Sequence, residues 1–213
     1  MFVTRSYLES EKNLGAALPG EARCYLLEPP LFTRMVDTET PQEIAAIFPF
    51  KEPEYTDAAA GDLSLALIAD GLQDPGNMGT AIRTAAAAGL DAFFYGPGCV
   101  DPYSPKSLRS SAGALFHLPP TAMEDPPAQL QSLKRSGVSV VAARPGAKRS
   151  FWEFDYRPKT AVLIGSESRG LSPELVAAAD TSVCIPQFSP LDSLNAAVAA
   201  AVIIYEALRQ RTR

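Results

Sequence analysis

The chain has 213 residues, 46% of them hydrophobic, with three cysteines, one histidine and a formal charge of −5; this suits one compact domain with a small appendage and excludes wholesale disorder. The lone His117 argues against a His-rich metal centre or a Ser-His-Asp enzyme, and Cys24, Cys99 and Cys184 lack the number and spacing for a disulfide scaffold or a metal site. Arg5, Glu9, Glu11 and Lys12 sit where a signal peptide needs an apolar core, and the apolar stretch 196–205 is far short of the roughly 18 residues of a membrane span, so a cytosolic protein is predicted.

Residues 1–62 hold five Lys/Arg against eleven Asp/Glu, a net of −6, so the overall acidity comes from this segment and the remainder is close to neutral. Within it, residues 23–28 read as a short strand, 31–36 as a helical turn and 44–48 as an apolar strand led in by Thr40-Pro41-Gln42-Glu43. These elements bury little apolar surface and do not predict a self-sufficient domain. Lys51-Glu52-Pro53-Glu54 and Ala58-Ala59-Ala60-Gly61 mark a linker, so the predicted organisation is 1–50, a linker at 51–62, and a main domain at 63–213.

Beyond the linker the pattern is α/β. Residues 63–69 form a continuous apolar run, as a strand buried on both faces requires. Residues 77–88 have helical character, 92–95 read as a strand, 127–136 as a helix and 138–142 as a strand. A buried strand at 161–164, a helix at 173–179, a strand at 181–185 and a closing helix over 193–210 follow. Strands alternating with helices predict a parallel sheet covered on both faces.

Three strand-loop-helix junctions carry the candidate chemistry, because ligands of parallel sheets sit beyond the carboxyl ends of strands. The first runs from Asp70 through Asp74-Pro75-Gly76-Asn77-Met78-Gly79 to Arg83. Asn77 reads as a helix cap there, Gly76 and Gly79 permit close backbone approach, and Arg83 on the second turn offers an anion a partner. An ordinary capped helix with a surface arginine explains the same residues. The second is Gly165-Ser166-Glu167-Ser168-Arg169-Gly170-Leu171, where a glycine directly after a buried strand exposes backbone to a ligand, although Glu167 and Arg169 also read as a solvated loop pair. The lack of a GxGxxG pattern argues against a dinucleotide. The third is Ile185-Pro186 followed by Ser193-Leu194-Asn195. Ser193 reads as the cap of the closing helix, and Asn195 is a residue that helix propensity alone does not explain.

Together these residues resemble the SpoU (TrmH-like) RNA methyltransferases of the SPOUT superfamily. The resemblance covers residues 63–210: Asp74-Pro75-Gly76-Asn77-x-Gly79 with Arg83, then Gly165-x-Glu167-x-x-Gly170-Leu171, then Ile185-Pro186 with Ser193-Leu194-Asn195, in family order and at family-like spacing. Ser110-x-x-Gly113-Ala114-Leu115-Phe116 is similar to a connecting segment of the family. Residues 23–48 resemble the end of a ribosomal-protein-like RNA-binding domain, with the first half of that domain expected upstream of Met1 or dispensed with.

The resemblance implies a parallel sheet flanked by helices whose C-terminal part is threaded into a deep trefoil knot, and a truncated substrate-binding segment at 1–50. It implies transfer of a methyl group from S-adenosylmethionine to a ribose 2′-hydroxyl of rRNA or tRNA, rRNA being favoured. Gly165, Ile185 and Leu194 then hold the cofactor, largely through backbone. Arg83, Asn77, Glu167, Ser193 and Asn195 form the polar catalytic set. A guanidinium is a poor proton acceptor, so Arg83 is expected to bind a phosphate and stabilise a developing alkoxide, with Asn77, Glu167 and Asn195 orienting it and the ribose. A homodimer without metal is implied, and the Ala-rich closing helix suits close packing within or between chains. Gln187 and Ser189 replace the usual Met and Gly of the third motif, which leaves open a catalytically silent RNA- or ribosome-binding homologue. His117 reads as a structural or surface residue and the cysteines as buried apolar fillers. Lys106, Arg109, Lys148 and Arg149 read as solvated charges or, in an RNA enzyme, as candidates for phosphate contacts.

Overall fold

The computed structural model describes residues 1–11, 22–36, 38, 40–47, 49–56, 63–188 and 194–212. The chain divides into two compact units, Met1–Lys51 and Glu52–Arg213.

In the first unit, β1 (Phe2–Val3) pairs in parallel with β2 (Tyr25–Leu26) and antiparallel with β3 (Ile44–Ala45). Helix α1 (Arg5–Ser10) starts at Thr4, whose side chain accepts the Tyr7 N–H at 3.3 Å, and α2 (Pro29–Met35) begins on two prolines. Proline suits a first turn because the amide it lacks has no intrahelical partner there. The Glu43 carboxylate accepts hydrogen bonds from Ser6 and Thr4, which hold its pKa below the usual carboxylate value. Val3 and Phe32 are the fully buried apolar side chains among the described residues of this unit, in keeping with a segment that has little core of its own. β1 and α1 lie in residues for which the sequence predicted no element.

The second unit is built on a seven-stranded sheet, every pair of which is parallel. Its strands are β4 (Leu65–Asp70), β5 (Ala92–Tyr95), β6 (Thr121–Ala122), β7 (Ser139–Ala143), β8 (Arg149–Ser150), β9 (Thr160–Gly165) and β10 (Thr181–Cys184), in the spatial order β6-β5-β4-β9-β7-β10-β8. Helices α3 (Pro75–Ala87) and α7 (Ala196–Arg211) share one core with Leu65, Leu67, Val162 and Val141. Helices α5 (Pro126–Arg135) and α6 (Pro173–Ala178) share the other with Ala66, Ile68, Ala161, Leu163 and Val140. Successive residues of β4, β7 and β9 alternate between the two cores, which is why these strands read as unbroken apolar runs. Each fully buried Leu, Ile or Val contributes about 1.5–3 kcal/mol of transfer free energy.

Helix α4 (Pro105–Ser111) packs across α3 at Gly79. A Cβ on Gly79 would lie 2.0 Å from Ser110 Oγ and 2.4 Å from the Ser107 carbonyl oxygen, so only glycine admits the crossing. Gly76 faces something else: its nearest neighbour is the Asp74 carboxylate, not a passing backbone. At the far end of α7, Arg211 donates to the carbonyls of Ser64, Tyr156 and Pro158 at 2.7–2.8 Å and fastens the helix to the segments entering β4 and β9.

The pairings Asp70↔Gly165, Ala143↔Ile164 and Ala143↔Val183 bring the carboxyl ends of β4, β9, β7 and β10 to one edge of the sheet. Among the described residues no helix is long and apolar enough to cross a membrane. Of the cysteines read as buried fillers, Cys24 is exposed and Cys99 and Cys184 are half-buried. The Cys99 thiol accepts the Leu72 N–H and lies 3.5 Å from the Ala69 carbonyl, and burial raises its pKa. His117 is exposed.

Candidate active site

A cavity of about 390 Å³ opens at that carboxyl edge, within the usual range of about 300–1,000 Å³ for small-molecule sites. Gly165, Ile185 and Leu194, from three separate stretches of sequence, all line it. Apolar side chains from β10 and α7 form its floor, including Val183, Ala199 and Ile203, and Gln187 stands at its wall.

The loop after β9 closes on itself. The Gly170 N–H donates to the Ser166 carbonyl at 2.8 Å, and Ser166 Oγ accepts the Arg169 N–H at 3.2 Å. A Cβ on Gly165 would lie 2.1 Å from the Gly170 carbonyl carbon and 2.3 Å from the Leu171 nitrogen. Backbone fills that space, so residue 165 can carry no side chain. The loop's exit is tied to the end of β4 by the Ser172 N–H, which donates to Asp70 at 2.7 Å.

Three of the five predicted catalytic residues form one hydrogen-bonded chain. Asn195 is the N-cap of α7, its Oδ1 accepting the N–H groups of Ala197 and Val198 at 3.0 and 3.2 Å. That role leaves its Nδ2 to donate, which it does to Asn77 Oδ1 at 2.9 Å. The Asn77 Nδ2 in turn donates to Glu167 Oε1, which also receives the Ala196 N–H at 3.3 Å. The helix cap thus sets the direction of the whole chain: acceptor toward the helix, donor toward Asn77, donor toward the carboxylate. Glu167 and Ala196 belong both to this chain and to the cavity lining. Capping also explains why asparagine stands at a helix start where propensity alone disfavours it.

The caps differ from the predicted ones. Asp74, not Asn77, caps α3, accepting the Asn77 N–H at 2.8 Å, with Pro75 as the first helical residue. That hydrogen bond, with Lys106 at 3.5 Å alongside, holds the Asp74 carboxyl below its ordinary pKa. Asn77 is therefore the third residue of the helix, and its side chain is free for Glu167 and Asn195. Ser193, predicted both as the cap of α7 and as a catalytic residue, lies outside the described residues, as does Ser189; the cap is Asn195.

Arg83 stands apart. It is exposed, and its side chain makes no hydrogen bond or ion pair with a described residue, Asn77, Glu167 and Asn195 included. Six residues beyond Asn77, it lies about 9 Å along α3 and about 120° around it, on the exposed stripe with Thr80. Arg144 and Pro145, at the end of β7, line the cavity without having been expected. The rule that sites form beyond strand ends could have found them, since β7 ends at the same edge as β9. Among the described residues no group of three or more His, Cys, Asp or Glu is arranged to hold a metal.

Residues 64–205 match the sequence profile of the SpoU rRNA Methylase family. The chain is 35% identical to the 23S rRNA (guanosine(2553)-2′-O)-methyltransferase RlmP of Bacillus subtilis, over 93% of this chain and 77% of that protein. It is 37% identical to an uncharacterized tRNA/rRNA methyltransferase of Synechocystis, over 88% of this chain and 68% of that one. The SpoU methyltransferase AviRb from Streptomyces viridochromogenes superposes with a TM-score of 0.84 at 29% identity, covering 94% of this chain and 77% of that chain. A second structure of AviRb, in complex with the cofactor AdoMet, superposes at 0.75 and 28% identity. By profile, sequence and fold, the chain belongs to the SpoU rRNA methylase family of methyltransferases.

Proposed function

We propose that this methyltransferase transfers a methyl group from S-adenosylmethionine to the ribose 2′-hydroxyl of a structured RNA, rRNA in preference to tRNA. The observation that carries the proposal is the shared membership of Glu167 and Ala196: they join the Asn195–Asn77–Glu167 chain to the cavity lined by Gly165, Ile185 and Leu194. The rRNA 2′-O-methyltransferases among its relatives support the substrate class.

The apolar floor, with Gly165, Ile185 and Leu194 in the lining, fits an adenosine-bearing cofactor, which those three residues would hold. S-adenosylmethionine, when bound, supplies an electrophilic methyl carbon. The chain's own residues then act on the RNA. Asn77, Glu167 and Asn195 present a polar face of fixed direction that orients the ribose. Arg83 binds the neighbouring phosphate and stabilises charge developing on the 2′-oxygen. Ser193 sits between Asn195 and the third-motif loop in sequence and contacts RNA or orders that loop.

The homodimer belongs to the same proposal. Val198 and Tyr205, each 50% exposed, lie two turns apart on the outer face of α7, and the Arg83 side chain makes no hydrogen bond to its own Asn77. In a dimer, Arg83 serves the site of the second copy. The deep trefoil knot and the RNA-binding role of residues 1–50, with 51–62 as linker, are proposals too. The insertion of β10 between β7 and β8 supports the first, and the small mixed sheet with two helices supports the second. The free thiols of Cys24, Cys99 and Cys184 favour a cytoplasmic location.

Calorimetric titration with S-adenosylhomocysteine tests the cavity assignment. Saturable heat in the wild type, lost in Gly165→Ala, is expected. No heat in the wild type would contradict it and favour a silent RNA-binding homologue.

A further inference from the structure

Beside the cavity lies a surface that the methyl-transfer site leaves unused. The loop joining β7 to β8, with the first residue of β8, carries three exposed cations, Arg144, Lys148 and Arg149, and none of their side chains has a hydrogen bond or ion pair with a described residue. The acids that follow are engaged elsewhere. Glu153 accepts the Ser150 N–H at 2.9 Å in a capping box, and Asp155 takes two hydrogen bonds from the Arg157 guanidinium at 2.7 and 2.8 Å and a third from its backbone N–H. Three cationic side chains without an ion pair among the described residues thus gather at one edge of a chain that is acidic overall.

An aromatic platform follows directly. Phe151 packs against the core, and Trp152 stands on it edge-to-face, with ring centroids 4.9 Å apart. The turn that carries them, Phe151–Glu153, is held by that capping box. Trp152 is nonetheless 50% exposed. A half-exposed indole on a stiff turn beside free cations is the arrangement that proteins use for single-stranded nucleic acid: backbone charge is neutralised and a base stacks on the ring. The patch adjoins the cavity. Arg144 and Pro145 line it, and Arg149 pairs with Val183, which also lines it, at the strand spacing of about 4.8 Å.

We propose that residues 144–149 and Trp152 form a second RNA subsite. It holds the single-stranded segment flanking the nucleotide to be methylated, with phosphates on Lys148 and Arg149 and one base stacked on Trp152. The subsite rests on the RNA reading of the adjoining cavity. It confers affinity with little sequence preference, because every base offers a π-face.

Trp152 is the only tryptophan in the chain, so tryptophan emission, excited at wavelengths the seven tyrosines do not absorb, reports this surface alone. Titration of the full chain with oligo(A) and oligo(U) is expected to quench its emission, oligo(A) the more strongly, while inorganic polyphosphate leaves it unchanged. Trp152→Ala raises the KM for RNA about five- to a hundredfold at unchanged kcat and unchanged S-adenosylhomocysteine affinity, and Trp152→Phe restores most of the loss. The double substitution of Lys148 and Arg149 by Ala lowers the slope of log affinity against log salt by about 1.4. Unchanged emission on RNA binding, equal quenching by polyphosphate, or emission that shifts with protein concentration alone would overturn the subsite; the last would mark a contact between copies. The titration needs no turnover, so failure of the methyl-transfer reading and failure of this subsite are separately visible.

Discussion

Asn195 does two jobs with one amide, and substitutions can separate them. Its Oδ1 caps α7 and its Nδ2 donates to Asn77. Asn195→Ala removes both. Loss of an N-cap costs about 0.5–2 kcal/mol, which in a chain of this length lowers Tm by about 2–4 °C per kcal/mol. Asn195→Asp keeps the cap, since a carboxylate accepts the Ala197 and Val198 N–H groups and favours the helix dipole. It presents Asn77 with an acceptor where a donor stood. If the Asn77 amide turns to meet it, the Asn77 oxygen then faces the Glu167 carboxylate. Either way one link of the chain becomes repulsive. The expected pattern is a Tm within about 1 °C of wild type for Asn195→Asp, a clear loss for Asn195→Ala, and methyl transfer reduced in both. Thermal unfolding and labelled-methyl transfer read the two columns. Wild-type activity in Asn195→Asp, or a Tm as low as that of Asn195→Ala, would refute the separation of roles.

Arg83→Ala lowers kcat by about 10²–10³, the usual cost of one donor to a developing oxyanion. If Arg83 works across a dimer, mixing Arg83→Ala with Asn195→Ala restores activity, because about half the dimers then contain one intact site; no recovery on mixing would place Arg83 in its own chain's site. Gly79→Ala drives a Cβ into Ser110 and the backbone of α4 and costs about 1–3 kcal/mol or more, visible as a lowered denaturant midpoint. The buried Tyr156 hydroxyl has no hydrogen-bond partner among the described residues, so Tyr156→Phe raises Tm. The depressed Asp74 pKa means its stabilising contribution is complete above the ordinary carboxylate value and lost as pH falls through the lower folded value. The Tm advantage of wild type over Asp74→Ala therefore shrinks below about pH 4.

The strands of the main sheet were legible because burial on both faces leaves an unbroken apolar run, as in Leu65–Asp70 and Thr160–Gly165. Helix starts were less so. Pro75 and Gly76 read as loop, which moved the cap to Asn77, whereas a proline at the first helical position belongs inside the helix and points back to Asp74. Pro126–Arg135 was placed one residue late for the same reason. β6 and β8 are two residues each, too short to show a period, and α1 and α4 are short helices whose polar residues mask one. In the site, the spacing of the motifs singled out Asn77, Glu167 and Asn195, but not the hydrogen bonds among them. Those pairs are 118 and 90 residues apart, and only the sheet register brings them together. Arg83 shows the reverse: close to Asn77 in sequence, it stands about 120° around the helix from it and shares no side-chain hydrogen bond with it.

The most direct test is where the methyl group goes. Unmodified rRNA and tRNA would be incubated side by side with the protein and labelled S-adenosylmethionine, then hydrolysed with alkali. A ribose methylated at its 2′-oxygen cannot assist cleavage of the next phosphodiester. The account predicts label retained in alkali-resistant dinucleotides from rRNA, absent with Arg83→Ala. Label released with ordinary mononucleotides would mean methylation of a base and would contradict it.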